Sequence, residues 1–272
     1  MRIVCWNMAR AFRPKRRDRD PWEVLAALRP DIALLQEASA IPDGFPGEYH
    51  FNRTRHHWGT AVWSRHPLTR FDDLPGIDAQ EFQQGLPAVD GYFAGALVEV
   101  PGVGDLAAVS VHAYPSQVGE QHLADLVASE LVVPPQKAVW PGDILWWMTR
   151  KLPAHGTPSI LGGDWNTARR FDEVYGPRGN REFFQRMIET GWREALRKFN
   201  EEEVQTYFSQ GKSPYQLDHV FLTDGLYEPM TRGFVDSSEE VLLASDHARS
   251  SLRSKCDPRS SSRFHSPLAP PS

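Results

Sequence analysis

Short apolar runs alternate along the chain with longer stretches in which apolar residues recur every three or four positions. The runs Ile3–Trp6, Asp31–Leu35, Gly59–Trp63, Phe93–Val100, Leu106–Val111, Ser159–Leu161 and Leu217–Leu222 read as strands. Helices are marked at their ends. Asp20-Pro21-Trp22-Glu23 supplies a cap, a proline at the first helical position and an early acid, and the segment stops before Pro30. Gln121–Leu131, Asp143–Leu152 and Asn180–Thr190 carry the helical period, the last ending at Gly191, and Trp192–Phe199 is a candidate for one more. Strands interleaved with helices predict a mixed α/β layered architecture.

The pattern fails at the end. From Ala248 the chain turns to serine, proline and basic residues with little apolar periodicity, a composition expected to stay disordered. No repeat or Pro/Gly/Ser-rich linker precedes it. The expected organisation is one domain over residues 1–247, with a polar basic tail over 248–272. Charge sharpens that division. The tail carries a local net charge of +4 against −5 for the chain, which leaves −9 on the body. Composition therefore does not promise a broad basic face for nucleic acid. One local exception is Arg10–Arg19, with six basic residues and one acidic, a solvated loop or a phosphate-contacting one.

No apolar run is long enough to span a membrane, and Met1–Asn7 lacks the features of a signal peptide. Two cysteines, Cys5 and Cys256, imply no disulfide framework. A cytoplasmic monomer is expected.

The chemistry gathers where apolar runs end. Asn7 closes the first. Glu37 follows Ala33-Leu34-Leu35-Gln36, and His112 follows Ala107–Val111. Asp164 and Asn166 lie in Leu161-Gly162-Gly163-Asp164-Trp165-Asn166, and Asp218 and His219 in Gln216–Phe221. Ser245-Asp246-His247 follows Val241–Ala244. Each alone has an ordinary reading: a solvated acid for Glu37, a hydrogen-bonded core histidine for His112, an Asx turn for Asp164 with Asn166. Recurrence changes this, because strands packed in sheets bring distant ends to one rim. Glu37, Asp164, Asp218 and Asp246 are hard oxygen donors suited to Mg²⁺ or Mn²⁺. Zinc is disfavoured, since neither a cysteine pair nor a His-x-x-x-His pair occurs.

Cys-Trp-Asn, Leu-Leu-Gln-Glu, Val-His-Ala, Gly-Gly-Asp-Trp-Asn, Leu-Asp-His-Val-Phe and Ser-Asp-His, in this order over residues 1–247, resemble the endonuclease/exonuclease/phosphatase superfamily of metal-dependent phosphoesterases. The resemblance implies a four-layer α/β/β/α sandwich: two mixed, mainly antiparallel sheets face to face, helices outside, and the site on one rim. It also implies roles. Glu37 would be the principal ligand of Mg²⁺ or Mn²⁺, with Asn7 and Asp246 beside it. Asp164 would orient or deprotonate the attacking water, and Asn166 would hold water and phosphate in line. Asp218 would fix the tautomer of His247, which donates to a phosphate oxygen, and His112 would contact the phosphate or protonate the leaving oxygen. Gln205-Thr206-Tyr207-Phe208 resembles the threonine-aromatic segment of the family's repair nucleases, with a core strand as the alternative. His219 is assigned to its strand, His56 and His57 to a loop, and Trp140, Trp146 and Trp147 to packing ahead of base stacking.

One departure stands out. In the family Ser-Asp-His leads into a last apolar strand; here Ala248–Cys256 follows, and it reads as a replaced terminus that puts Asp246 and His247 in question. Three functions therefore enter: a phosphodiesterase with nucleic acid as substrate, a phosphatase of a small phosphate ester or lipid headgroup, and a scaffold whose site the tail has impaired.

Overall fold

The computed structural model describes residues 1–9, 19–70, 78–131, 138–176, 179–208 and 214–255. The basic run up to Asp18 and residues 256–272 of the tail lie outside them. Twelve strands among the described residues form two six-stranded sheets. The first sheet contains β1 (Arg2–Asn7), β2 (Ile32–Ala38), β3 (Glu48–Arg53), β4 (Gly59–Ser64), β11 (Met230–Asp236) and β12 (Arg249–Ser254), in the order β11-β12-β1-β2-β4-β3. The second contains β5 (Leu68–Arg70), β6 (Phe93–Val100), β7 (Gly104–His112), β8 (Ser159–Asp164), β9 (Arg193–Glu194) and β10 (Asp218–Leu222), in the order β5-β6-β7-β8-β10-β9. Only β1 with β2 and β7 with β8 are parallel; the other pairs are antiparallel.

Period-two patterning explains the layers. Ile3 and Cys5 point into a core shared with Ala96, Ala108, Ile160 and Val220 of the other sheet. Val4 and Trp6 point the opposite way, beneath α1 (Pro21–Leu28) and α9 (Glu239–Ala244). In the second sheet Val109, Leu161 and Phe221 face outward, covered by α2 (Ala79–Val89), α3 (Asp125–Leu131), α4 (Pro141–Thr149) and α7 (Asn180–Glu189). Three short helices, α5 (Leu152–His155), α6 (Phe171–Val174) and α8 (Asp224–Tyr227), sit in connections. Both faces of each sheet are buried, so its central strands read as continuous apolar runs. The four-layer sandwich is the architecture observed.

Local expectations hold unevenly. Asp20 caps α1 through Trp22 N–H, as its sequence predicts. The helix expected over Gln121–Leu131 begins only at Asp125, and Asp143–Leu152 is divided between α4 and α5. Trp192–Phe199 is not a helix: it gives the two-residue β9 and a single 3₁₀ turn at Leu196–Lys198.

The largest correction concerns residues 249–254. They are not disordered but form β12, inserted between β1 and β11, with Ile3 opposite Leu252 and Cys5 opposite Ser250. Ladder hydrogen bonds on both sides outweigh the poor strand propensity of serine and arginine. Leu252 supplies the apolar contact and is 1% exposed. Arg249 is neutralised by Asp236 at 2.5 Å. The mismatch leaves two marks: Arg249 Nε and the Ser250 hydroxyl are buried without a partner. Leu252→Ala is expected to lower unfolding free energy by about 2–5 kcal/mol in urea denaturation. An unchanged midpoint would mean that β12 is not part of the folded core.

Candidate active site

Strand direction assembles the rim. The parallel pairs present their C-terminal ends together: Asn7 closes β1, Glu37 is next to last in β2, and His112 and Asp164 close β7 and β8. Antiparallel neighbours present their N-terminal ends to the same edge. Asp218 opens β10 directly opposite Asp164. His247 precedes β12, which runs antiparallel to β1.

The groups meet between the sheets. Asn7 Nδ2 donates to Glu37 Oε1 at 3.2 Å and to Asp164 Oδ2 at 3.0 Å. His112 Nε2 lies 3.6 Å from Glu37 Oε1 and 3.7 Å from Asp164 Oδ2. Asp164 also accepts the Asn166 N–H at 3.0 Å, and Asn166 Nδ2 donates to the Ala113 carbonyl at 2.8 Å. Glu37 and Asn166 both adopt positive φ, +46° and +47°, and Glu37 sits at a bulge where the β2–β4 register shifts. Strain of this kind costs roughly 1–3 kcal/mol and re-aims a side chain. Gly163 is required by geometry: a Cβ there would lie 1.8 Å from the Val111 carbonyl oxygen.

A second cluster adjoins the first. Asp218 Oδ2 contacts His247 Nδ1 at 2.8 Å, while His247 Nε2 lies 3.9 Å from Asp164 Oδ2. Residues of the Ser-Asp-His and threonine-aromatic segments, to which the sequence assigned no role of their own, hold it in place. Ser245 Oγ donates to the Asn7 carbonyl at 2.6 Å and accepts the His247 N–H at 3.0 Å. Thr206 Oγ1 accepts the N–H groups of Leu217 and Asp218. Tyr207 forms a β-bridge with His247, and its ring lies 4.9 Å from the imidazole. The threonine-aromatic segment is thus a clamp on the Asp218–His247 pair. Trp58 and Tyr92 flank the His112 ring at 5.5 and 5.4 Å. Ser245 was readable from its place in Ser-Asp-His; Trp58 and Tyr92 carried no signal above ordinary aromatic packing.

Two expected members sit differently. The Asn7 oxygen accepts the Ala9 N–H at 2.8 Å, so in this arrangement the residue bridges two carboxylates and does not present an oxygen to a cation. Asp246 is half-buried, with its carbonyl held by Phe208 N–H, and its carboxylate belongs to neither cluster.

Electrostatics give the pocket its character. Burial, and then the neighbouring carboxylates Asp218 and Glu37, push the Asp164 carboxyl up to about 7, against the pull of His247. Burial opposes charge on His247, but Asp218, Asp164 and Asp246 outweigh it and raise the imidazole to about 10. Burial drives His112 down to about 3, so it is neutral at pH 7. Ligand atoms of Glu37, His112 and Asp164, and likewise of Asp164, Asp218 and His247, lie within 4.8 Å of one another. Buried carboxylates at such spacing call for a cation, and one Asp218 oxygen, Oδ1, is buried with no partner. The donor set fits a divalent metal.

Strand-end carboxylates, an oriented imidazolium and a cation-ready cluster on the rim of a four-layer sandwich define a metal-assisted phosphoesterase class. The Endonuclease/Exonuclease/phosphatase family profile matches residues 4–247, and the chain belongs to that family. An AP endonuclease from Archaeoglobus fulgidus superposes with TM-score 0.65 at 16% identity, covering 93% of this chain and 99% of that one. The catalytic domain of Xenopus laevis APE2 gives 0.63 at 18%, covering 94% and 92%. A Neisseria 3′ phosphatase, NExo, bound to product DNA hairpin gives 0.60 at 19%, covering 94% and 99%. At such identities the likeness is one of fold. Comparison by sequence with curated proteins gives no match.

His219 belongs to the scaffold, as its sequence position implied. Its Nδ1 meets Glu194 Oε1 at 2.8 Å and its Nε2 meets the Thr167 carbonyl at 3.0 Å. The doubly protonated ring satisfies both of these acceptors, with the Gln216 amide also 2.9 Å from Nδ1. Arg169 adds a second cation to Glu194 at 2.6 Å. Burial alone would raise Glu194, but His219 and Arg169 outweigh it and lower the carboxyl to about 2. Burial likewise opposes charge on His219, and Glu194 then raises its pKa above the ordinary 6.5. The carboxylate's contribution is complete above its ordinary 4.5 and fades as pH falls towards 2. That of the imidazolium is complete below 6.5 and fades as pH rises through its elevated value. Glu194→Gln should therefore cost most between these limits, about 3–5 kcal/mol by urea unfolding. A cost that stays constant from pH 3 to pH 9 would contradict the pairing.

Proposed function

We propose that this protein is a Mg²⁺- or Mn²⁺-dependent phosphodiesterase with nucleic acid or its fragments as substrate, acting by in-line attack of water. The observation that carries this reading is the buried convergence of Glu37, Asn7 and Asp164 beside the Asp218–His247 pair. Solved structures of the same fold include DNA-processing enzymes. On this reading Glu37 would be the main holder of the metal, with Asn7 and Asp246 beside it. When bound, a divalent cation neutralises charge that develops on the phosphate and the leaving oxygen.

The chain's own groups do the rest. Asp164, raised towards neutrality, accepts the proton of the attacking water, and Asn166 holds water and phosphate in line. Asp218 keeps His247 protonated and oriented, so that Nε2–H donates to a non-bridging oxygen. His112, neutral at pH 7, is a hydrogen-bonding contact for the phosphate and not its proton source. The formed β12 and the contact of His247 with Asp218 support the enzymatic reading over the impaired scaffold.

A second reading follows from one observation. The body without the tail carries −9, which favours a small phosphate ester over an extended polyanion. No helix of the described residues is long and apolar enough to cross a membrane. We further take the protein to be a cytoplasmic monomer.

Hydrolysis of bis-p-nitrophenyl phosphate and p-nitrophenyl phosphate, with Mg²⁺, Mn²⁺ or chelator, separates these readings. Diester cleavage that needs metal and falls roughly 100-fold or more in Glu37→Ala and in Asp164→Ala is expected. Monoester cleavage alone would promote the small-ester reading. Full activity in chelator, or in both variants, would sink the metal-dependent proposal. Single-stranded DNA binding that weakens steeply with salt would mark a polyanion substrate, and a flat profile the small one.

A further inference from the structure

A cavity of about 230 Å³ backs directly onto the rim. Two of its lining residues, Ala113 and Asn166, directly follow His112 or lie two past Asp164, and they are joined by the Asn166 Nδ2 to Ala113 carbonyl hydrogen bond. The cavity is therefore adjacent to the carboxylates, with Asn166 shared between them. Its walls are aromatic. They include Tyr114, Trp140 just before α4, Phe171 and Tyr175 on and just after α6, and the buried Trp165 and Phe183. Asn166, Thr167 and Asn180 add neutral polar groups to the lining, Thr167 Oγ1 donating to Asn180 Oδ1 at 2.6 Å and Asn180 Nδ2 to Asp172 Oδ1 at 2.8 Å.

Charge decides what such a cavity takes. Among the described residues its lining includes no lysine, arginine or histidine, and its one charged member, Asp143, is ion-paired with Arg186. Among those residues a second phosphate would find no cation to offset the cost of its desolvation. Size decides further. The volume lies below the roughly 300 Å³ from which pockets accept drug-sized ligands, so a long acyl chain does not fit and one ring system does. Aromatic faces with amide and hydroxyl groups in the lining suit a flat ring with polar edges.

We infer that this cavity is a nucleobase subsite, which makes the substrate a phosphoester with a splayed-out nucleoside next to the scissile bond. This deepens the phosphoesterase reading and rests on it. It also reconciles a DNA-processing fold with an acidic body, since affinity comes from stacking one base rather than from tracking a long backbone. Trp140 and Tyr175 would be specificity residues. Neither belongs to the carboxylate cluster, and Tyr175 is 54% exposed, so its truncation leaves the core intact.

The test compares the p-nitrophenyl ester of thymidine 5′-monophosphate with p-nitrophenyl methyl phosphate, in wild type, Trp140→Ala and Tyr175→Ala. The base-bearing ester should have the lower KM, and each variant should raise that KM about tenfold, the loss of one stacking contact. Turnover of the methyl ester should not change. Equal KM for the two esters in wild type, or variants that affect both esters alike, would overturn the subsite while leaving the phosphoesterase reading intact. Should neither ester be cleaved, it is that reading that fails. The cavity is then judged by binding: thymidine 5′-monophosphate should quench tryptophan fluorescence where ribose 5-phosphate does not. Equal quenching by both, or by neither, would overturn the inference.

Discussion

Two buried carboxylates, Glu37 from one sheet and Asp164 from the other, face each other across the seam of the sandwich, and the Asn7 amide hydrogen-bonds both. Acids so placed repel unless something positive or donating stands between them. The rest of the site follows from that conflict. His247 is held charged beside Asp164, Asp218 holds His247, and Thr206, Tyr207 and Ser245 hold the Asp218–His247 pair. An arrangement that concentrates negative charge in a dry seam is suited to a cation and to transient charge on a phosphate.

The fold meets this demand through strand direction. Each sheet has one parallel pair at its centre, and those pairs deliver four site residues from C-terminal strand ends. Antiparallel neighbours deliver Asp218 and His247 to the same edge. Cross-sheet bonds fix the spacing: Gln36 donates to Ser110 Oγ, which donates to the Leu35 carbonyl. Stability and function are coupled through β12, since losing it would uncover β1 and detach the His247 turn.

Much of the site was legible in the chain because a polar residue that ends a buried apolar run recurs four times, at Asn7, Glu37, His112 and Asp164. The central strands were legible for the same reason, being apolar on both faces. Edge elements were not. β3 and β11 are half-exposed and alternate poorly, β5 and β9 are very short, and α2 contains Gly85 and Pro87, which obscure its helical period. β12 was hidden by its serines and arginines, because its placement rests on backbone ladders and on the Arg249–Asp236 pair, formed only in three dimensions. Thr206 and Ser245 act through backbone partners, which composition does not reveal.

The central claim is that the seam at Glu37 and Asp164 is built around a divalent cation. Anomalous diffraction from crystals soaked in Mn²⁺ tests it most directly. The account predicts one strong peak in contact with the Glu37 carboxylate, at the rim between the sheets, and its loss in Glu37→Gln crystals treated alike. A peak confined to exposed surface acids, with nothing at Glu37, would contradict it.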